Sequence, residues 1–425
     1  GTVDLSGLDA DAPLVVARPA SVTVGAGGVL TSDGDNAVSF TSCCTDPAHL
    51  VNDGTVMVDH GTLDVAGVQF DQNGVLDVVG GMVLTHAAPV TASDGAAYEG
   101  DGAWRIADAG PAARLSGRQL LGGRFHLHLG GGSPAASETL GGDVTLAGSG
   151  TFDWDSGTVA AELTVGHDVT VVVDGARRGN DARQLRGIDD SGAKPIAATV
   201  VDHGTVEVTG GARIGTAETA HLVVATDGTL RIAAGAGLAA AECCTHPDRV
   251  DNAGTTRLSS GATLTDLDYH QIAGRTEVTG GALPPAHTVR VDGGELVGVR
   301  TVRGALVAAG QVTPDGAGIG ALHVTGDYTQ QRDATLAVDV AARAHDTVRV
   351  DGAADVAGRI TVDTAAGLPG VGTRIRILTA DAGLRVHAGT CVVTRGNGAA
   401  TRHWKPMASA DGLDLVMVQG SSPNC

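Results

Sequence analysis

The sequence predicts an all-β fold, specifically a right-handed parallel β-helix (solenoid) of roughly eighteen coils with a C-terminal cap. Three observations carry that expectation: a composition made for strands and corners, a short phrase recurring at one coil's length, and a long-range duplication. The 425 residues include 64 Gly but only ten aromatics, so the interior has to be filled by Val, Leu, Ala and Ile. Aromatics supply large buried areas in wide cores, and their scarcity suits many narrow layers. Forty Asp stand against eight Glu, and twenty-six Arg against two Lys. Helices favour Glu and Lys, whereas Asp and Gly belong to turns.

The recurring phrase is Gly, any residue, an aliphatic, any residue, an aliphatic. It reads Gly54-Thr-Val-Met-Val58, Gly61-Thr-Leu-Asp-Val65, Gly74-Val-Leu-Asp-Val78, Gly204-Thr-Val-Glu-Val208 and Gly228-Thr-Leu-Arg-Ile232. Alternation at period two puts both aliphatics on one face of a strand. Turn residues precede the Gly (Asn73, His203, Asp227), and glycine's freedom to take positive φ suits a corner there. Successive phrases lie 26 residues apart from Gly28 to Gly54, 20 from Gly54 to Gly74 and 24 from Gly204 to Gly228. A period of that size, holding two or three short strands, is one coil of a solenoid.

Shifting the chain by 200 residues superimposes 22–84 on 222–284 without a gap. Cys43-Cys44-Thr45 falls on Cys243-Cys244-Thr245, Asn52 on Asn252, and Gly54, Gly61 and Gly74 on Gly254, Gly261 and Gly274. The expected organisation is a duplicated β-helix over 1–384 and a capping segment over 385–425. At about 4.8 Å per coil, eighteen coils would extend roughly 85–90 Å. Two stretches leave the period and read as projecting loops: 88–110, with Tyr98 and Trp104, and the polar 176–195.

Net charge of −20 argues against nucleic acid and anionic membrane surfaces as partners. No apolar run is long enough to span a bilayer. Gly1 begins in mid-pattern, so a leader is expected to have been removed and the location to be secreted or cell-surface. The partners expected are cell-surface glycans or other surface proteins, with self-association end to end or side by side. No cofactor is expected.

The run Gly326-Asp-Tyr-Thr-Gln330, Ala334-Thr-Leu-Ala-Val-Asp-Val340, His345-Asp-Thr-Val-Arg-Val-Asp-Gly352, Pro369-Gly-Val-Gly372 and Ile375-Arg-Ile-Leu378 resembles the last coils of bacterial autotransporter and adhesin-type passengers. Upstream, Gly148-Ser-Gly-Thr-Phe-Asp-Trp-Asp-Ser-Gly157 is similar to the same broad group. The resemblance implies a secreted β-strand-repeat protein, although no translocator barrel precedes Cys425. Members include adhesins, proteases and inert stalks.

Cys43/Cys44 and Cys243/Cys244 would lie on the order of 40 Å apart along a solenoid, too far for a cross-disulfide. A vicinal disulfide in each pair, free thiols, metal ligands and interchain bonds remain, and the vicinal bridge is the expectation. Cys391 and Cys425 are then left to each other. A bond between them would fasten a terminal strand, Leu413-Asp-Leu-Val-Met-Val418, across the last coil, with Trp404 over its apolar end.

No Gly-x-Ser-x-Gly elbow, His-Glu-x-x-His pair or phosphate loop occurs, so catalysis is not expected. His60 and His203 stand where turn residues belong. His126 and His128 share a strand face, which fits a metal pair or, as expected here, a plain surface pair. For sugar binding, the side chain singled out is Trp154, flanked by Asp153 and Asp155. The functional expectation is a structural or adhesive extracellular element, with a glycan-binding or glycan-cleaving β-helix as the alternative.

Overall fold

The computed structural model describes residues 1–5, 14–16, 20–40, 48–107, 113–130, 138–175, 183–186, 198–217, 220–240, 248–279, 282–283, 288–316, 318–364, 369–396, 399 and 401–421. Among these there is no helix, and nearly every strand pairs in parallel with strands about one coil earlier and later. The fold is a β-solenoid. Two compact units divide it, one built on Gly1–Val223 with Asp227–Arg231, the other on Val224–Thr226, Ile232–Glu242 and Pro247–Cys425.

In the first unit each coil contributes three strands to three ladders. One coil shows the pattern: Ala48–Asn52, then the two halves of Thr55–Ala66, followed in the next coil by Val68–Gln72, Val75–Val78 and Gly81–His86. The pairings are in register, Leu50 with Phe70, Val56 with Leu76 and Leu63 with Val83. Aliphatics at alternate positions point inward, so Leu50, Val56, Leu63, Phe70, Leu76 and Val83 are essentially inaccessible. Coils are fewer than the eighteen expected because some exceed the twenty- to twenty-six-residue period. Glu162 pairs with Thr199 and Asp363 with Arg395, spans of 37 and 32 residues.

The corners correct one detail of the sequence argument. Gly54, Gly74 and Gly204 do not take positive φ; they are glycine because the coil beneath leaves no room. A Cβ on Gly74 would stand 2.2 Å from the Gly54 carbonyl oxygen, and one on Gly54 would stand 2.4 Å from that of Gly28. Beside these glycines sit buried amides that the sequence reading did not single out. Asn52 accepts from the Gly54 N–H and donates to Gln72 Oε1 and the Val75 carbonyl, both at 2.8 Å. In the second unit Asn252 accepts from Gly254 N–H, while Gln271 and Gln330 each donate to two corner carbonyls. A buried polar group without a partner costs about 1–3 kcal/mol, and these amides supply the partners.

Two expected loops are corrected. Residues 88–107 make a regular coil through Val90–Ala92, Ala97–Gly100 and Ala103–Ile106. Tyr98 and Trp104 lie inside it, 5.6 Å apart and stacked, with Phe70 edge-on to Trp104 and Phe125 against Tyr98. Their polar tips are satisfied, the indole N–H by Thr85 Oγ1 at 3.1 Å and the phenol by Gln119 Oε1 at 2.6 Å. Within 176–195, Arg183–Arg186 is a ladder strand between Gly157–Val165 and Arg213–Ala217. The remainder of that stretch lies outside the described residues.

The second unit contains a seven-stranded sheet in which parallel strands up to Arg374–Ala380 are followed by antiparallel ones. Gly412–Gln419 runs antiparallel to Arg374–Ala380, and Arg402–Ala408 antiparallel to Gly412–Gln419. Trp404, Leu413, Leu415 and Met417 are fully buried. Lys405, exposed, and Pro406 lie on the edge strand, where both discourage addition of a further strand. Asp414 ties the hairpin down by accepting from Arg374 and Arg376.

Asp202 occupies the corner position that Asn52 fills, accepting from the Gly204 N–H at 2.9 Å. A carboxylate has no N–H to offer the neighbouring coil, and Asp202 Oδ2 is buried without a partner. Burial pushes its carboxyl up to about 7, against the opposing pull of the Gly204 and Thr229 N–H groups. Because the folded pKa is raised, its contribution to stability is full below the unfolded value and is lost as pH rises through about 7. Denaturant midpoints of the natural protein should therefore fall between pH 4 and 8. Asp202→Asn should remove the share of that dependence due to Asp202 and stabilise at pH 8 by on the order of 1–3 kcal/mol. The share due to Asp346, whose carboxyl burial also pushes up, to about 6, should remain. Equal destabilisation by the variant at both pH values would contradict this account of the corner.

Candidate functional site

Outward side chains of the solenoid repeatedly pair a His of one coil with an Asp of the next. In the first unit His49 Nδ1 lies 2.9 Å from Asp71, His86 Nε2 2.8 Å from Asp64 and His203 Nδ1 2.8 Å from Asp227. The second unit repeats the device with His323–Asp351 at 2.8 Å, and with His270, whose two ring nitrogens face Asp251 at 3.2 Å and Asp292 at 2.8 Å. The pairing follows from register, since residues one coil apart on one face stand as cross-strand neighbours. At Asp71 burial acts to raise the carboxyl, but hydrogen bonds from Gln69, Thr91 and His49 outweigh it and hold the group below the usual range. The hydrogen bond from His203 holds Asp227 low in the same way.

The densest of these arrangements is built on His126–Leu129 and Thr151–Trp154, adjacent strands of one ladder in which His128 is the register partner of Asp153. Leu127 and Leu129 point into the core, so His126 and His128 face outward together, their rings stacked at 5.9 Å. Asp153 projects between them. Its Oδ2 lies 2.6 Å from His126 Nδ1 and 3.7 Å from His128 Nε2. The other nitrogen of His128, Nδ1, lies 3.0 Å from Asp155 Oδ2, and Arg105 Nη2 approaches that oxygen at 3.9 Å. The nitrogen and oxygen atoms of His126, His128 and Asp153 that could act as ligands all lie within 4.8 Å of one another. Asp153 is 1% and Asp155 5% exposed, while the His126 side chain is 43% exposed and opens the group to solvent.

Thus the shared face of His126 and His128 is as the sequence suggests, and Asp153 and Asp155 join it from the next coil. The spacing was the missed signal: Asp153 and Asp155 follow His128 by 25 and 27 residues, one coil. Trp154 stands elsewhere. It is 4% exposed, and its indole N–H donates to the Gly157 carbonyl at 3.1 Å. The alternation that turns Asp153 outward turns Trp154 into the core, so Trp154 offers no platform to a sugar. Behind it Arg183, 2% exposed, donates to the Trp154 carbonyl at 3.0 Å.

Cys391 begins the strand Cys391–Arg395, paired with Arg359–Asp363. Cys43, Cys44, Cys243, Cys244 and Cys425 lie outside the described residues, and with them both vicinal pairs and the expected partner of Cys391.

The second unit also carries an open depression of about 630 Å³ lined by Asp327, Asp355, Arg385, Thr329 and Leu384. Both acids are engaged in contacts between coils. Asp327 Oδ1 accepts from the Ala353 N–H at 2.8 Å, and Asp355 pairs with His387 Nε2 and approaches Arg385 at 3.9 Å.

No family model and no curated protein matches the sequence.

Proposed function

We propose that this chain is a non-catalytic structural or adhesive element of the cell exterior, a β-solenoid whose partners are surface glycans or surface proteins. One observation carries the reading: the polar side chains on the outer faces are directed at neighbouring coils. His49, Gln69 and Thr91 converge on Asp71 from three coils, Arg231 on Glu207, and His270 reaches both Asp251 and Asp292. Such surfaces reinforce the stack, whereas a hydrolytic groove needs acids whose oxygens are left to act on substrate. A surface of net charge −20 repels itself and resists aggregation. An oxidised state of the paired cysteines would place the protein outside the cytoplasm.

A glycan-active protein is the second reading, favoured by the depression that gathers Asp327, Asp355 and Arg385. Incubation with a panel of surface polysaccharides separates the two. The structural reading expects no reducing-sugar release above the blank; release that Asp355→Asn abolishes would replace it with the enzymatic one.

Intact mass before and after reduction, under denaturing conditions, tests the location. Bridged cysteines gain one hydrogen each on reduction, and alkylation of the Cys43/Cys44 and Cys243/Cys244 pairs without reductant would count against an oxidising compartment.

A further inference from the structure

We propose that His126, His128 and Asp153 form a binding site for a divalent transition-metal cation of the zinc class, which fastens two successive coils of the first unit together.

The ligand set is the first argument. Two imidazoles and one carboxylate, converging from adjacent strands with their donor atoms within 4.8 Å, match the three-ligand sites that leave one position of a tetrahedral zinc to water. Metal–ligand bonds of about 2.0–2.2 Å place ligand atoms roughly 3–3.5 Å apart in such a site. Small side-chain rotations reach that from the present geometry.

Orientation is the second. A neutral imidazole carries one N–H and one lone pair. If His128 Nδ1 donates to Asp155 Oδ2, 3.0 Å away, then His128 Nε2 turns its lone pair toward Asp153 Oδ2 at 3.7 Å. That is a nitrogen acceptor facing a carboxylate, too far apart for a proton to bridge and well placed for a cation to do so. His270 makes the contrast, since its two nitrogens lie 3.2 and 2.8 Å from carboxylates, both within direct ion-pair reach.

The third argument is the support behind the ligands. A metal-bound histidine ordinarily gives its other N–H to a carboxylate, which fixes the tautomer and the ring. Asp155, 5% exposed, does this for His128, and Arg105 lies beside it to balance the charge. His126 Nδ1, 2.6 Å from Asp153, would coordinate in the tautomer that carries its proton on Nε2. Access runs past His126, 43% exposed, to His128, 12% exposed.

The test uses the full chain, stripped with chelator and dialysed against micromolar Zn²⁺, with bound metal counted by mass spectrometry. Binding that depends on this cluster should amount to one zinc per chain. His126→Gln and His128→Gln should each weaken that equivalent at least a hundredfold, and Asp155→Asn by about ten- to a hundredfold. Because the readout is the difference from the natural protein, zinc held by the cysteine pairs does not obscure it. Zinc content unchanged in both His variants, with native far-ultraviolet dichroism, overturns the proposal. Should a variant fail to fold, Co²⁺ substitution in the natural protein decides. Visible bands of nitrogen- and oxygen-coordinated Co²⁺ are expected, and a thiolate charge-transfer band alone refutes the site.

Discussion

Every coil depends on how closely its corner can approach the corner beneath. Strands in register lie about 4.8 Å apart, and at that spacing the carbonyls of Gly28 and Gly54 occupy the places where side chains at Gly54 and Gly74 would begin. Glycine is required there by contact rather than by dihedral angle. The approach also buries the corner's own N–H and C=O groups, and Asn52, Gln72, Asn252, Gln271 and Gln330 exist to bond them. With the corners set, the inward aliphatics superimpose automatically, and stability accumulates from one neighbour to the next.

Stacking also dictates what the outer faces can do. Side chains one coil apart meet as cross-strand neighbours, so a chain with forty Asp and fifteen His readily acquires inter-coil pairs. Most join two groups. Around His128 the same geometry draws in five, because Asp153 links His126 to His128 and Asp155 links His128 to Arg105. A site of this kind needs no cleft or inserted loop; it follows from where two histidines happen to sit on a periodic surface.

Much of this was legible in the sequence, because phrases such as Gly54-Thr-Val-Met-Val58 report alternation and corner at once. The coil carrying Tyr98 and Trp104 was hidden by its corners, Asp94-Gly95 and Asp101-Gly102, which are not followed by the usual aliphatic pair, and by aromatics that look foreign among aliphatics. They fit because they stack on one another through successive layers. Arg183 was unreadable for the opposite reason: a buried guanidinium is satisfied by distant carbonyls, those of Trp154 and Asp174, that no local pattern announces. Trp154 was misjudged by neighbours in sequence, when the neighbours that matter are one coil away.

The antiparallel pair Arg402–Ala408 and Gly412–Gln419 has a consequence for the order in which structure can form. Its strands are joined by three residues, 409–411, whereas a parallel pairing elsewhere must first close a loop of a whole coil. Closure entropy rises with loop length, and hairpins assemble within about 1–10 μs. Among the described strand pairs, the hairpin is thus the one least dependent on anything already folded. Arg374–Ala380 docks on its free side through Asp414 and the two arginines, which gives the parallel ladder of that unit a ready-made edge from which to grow.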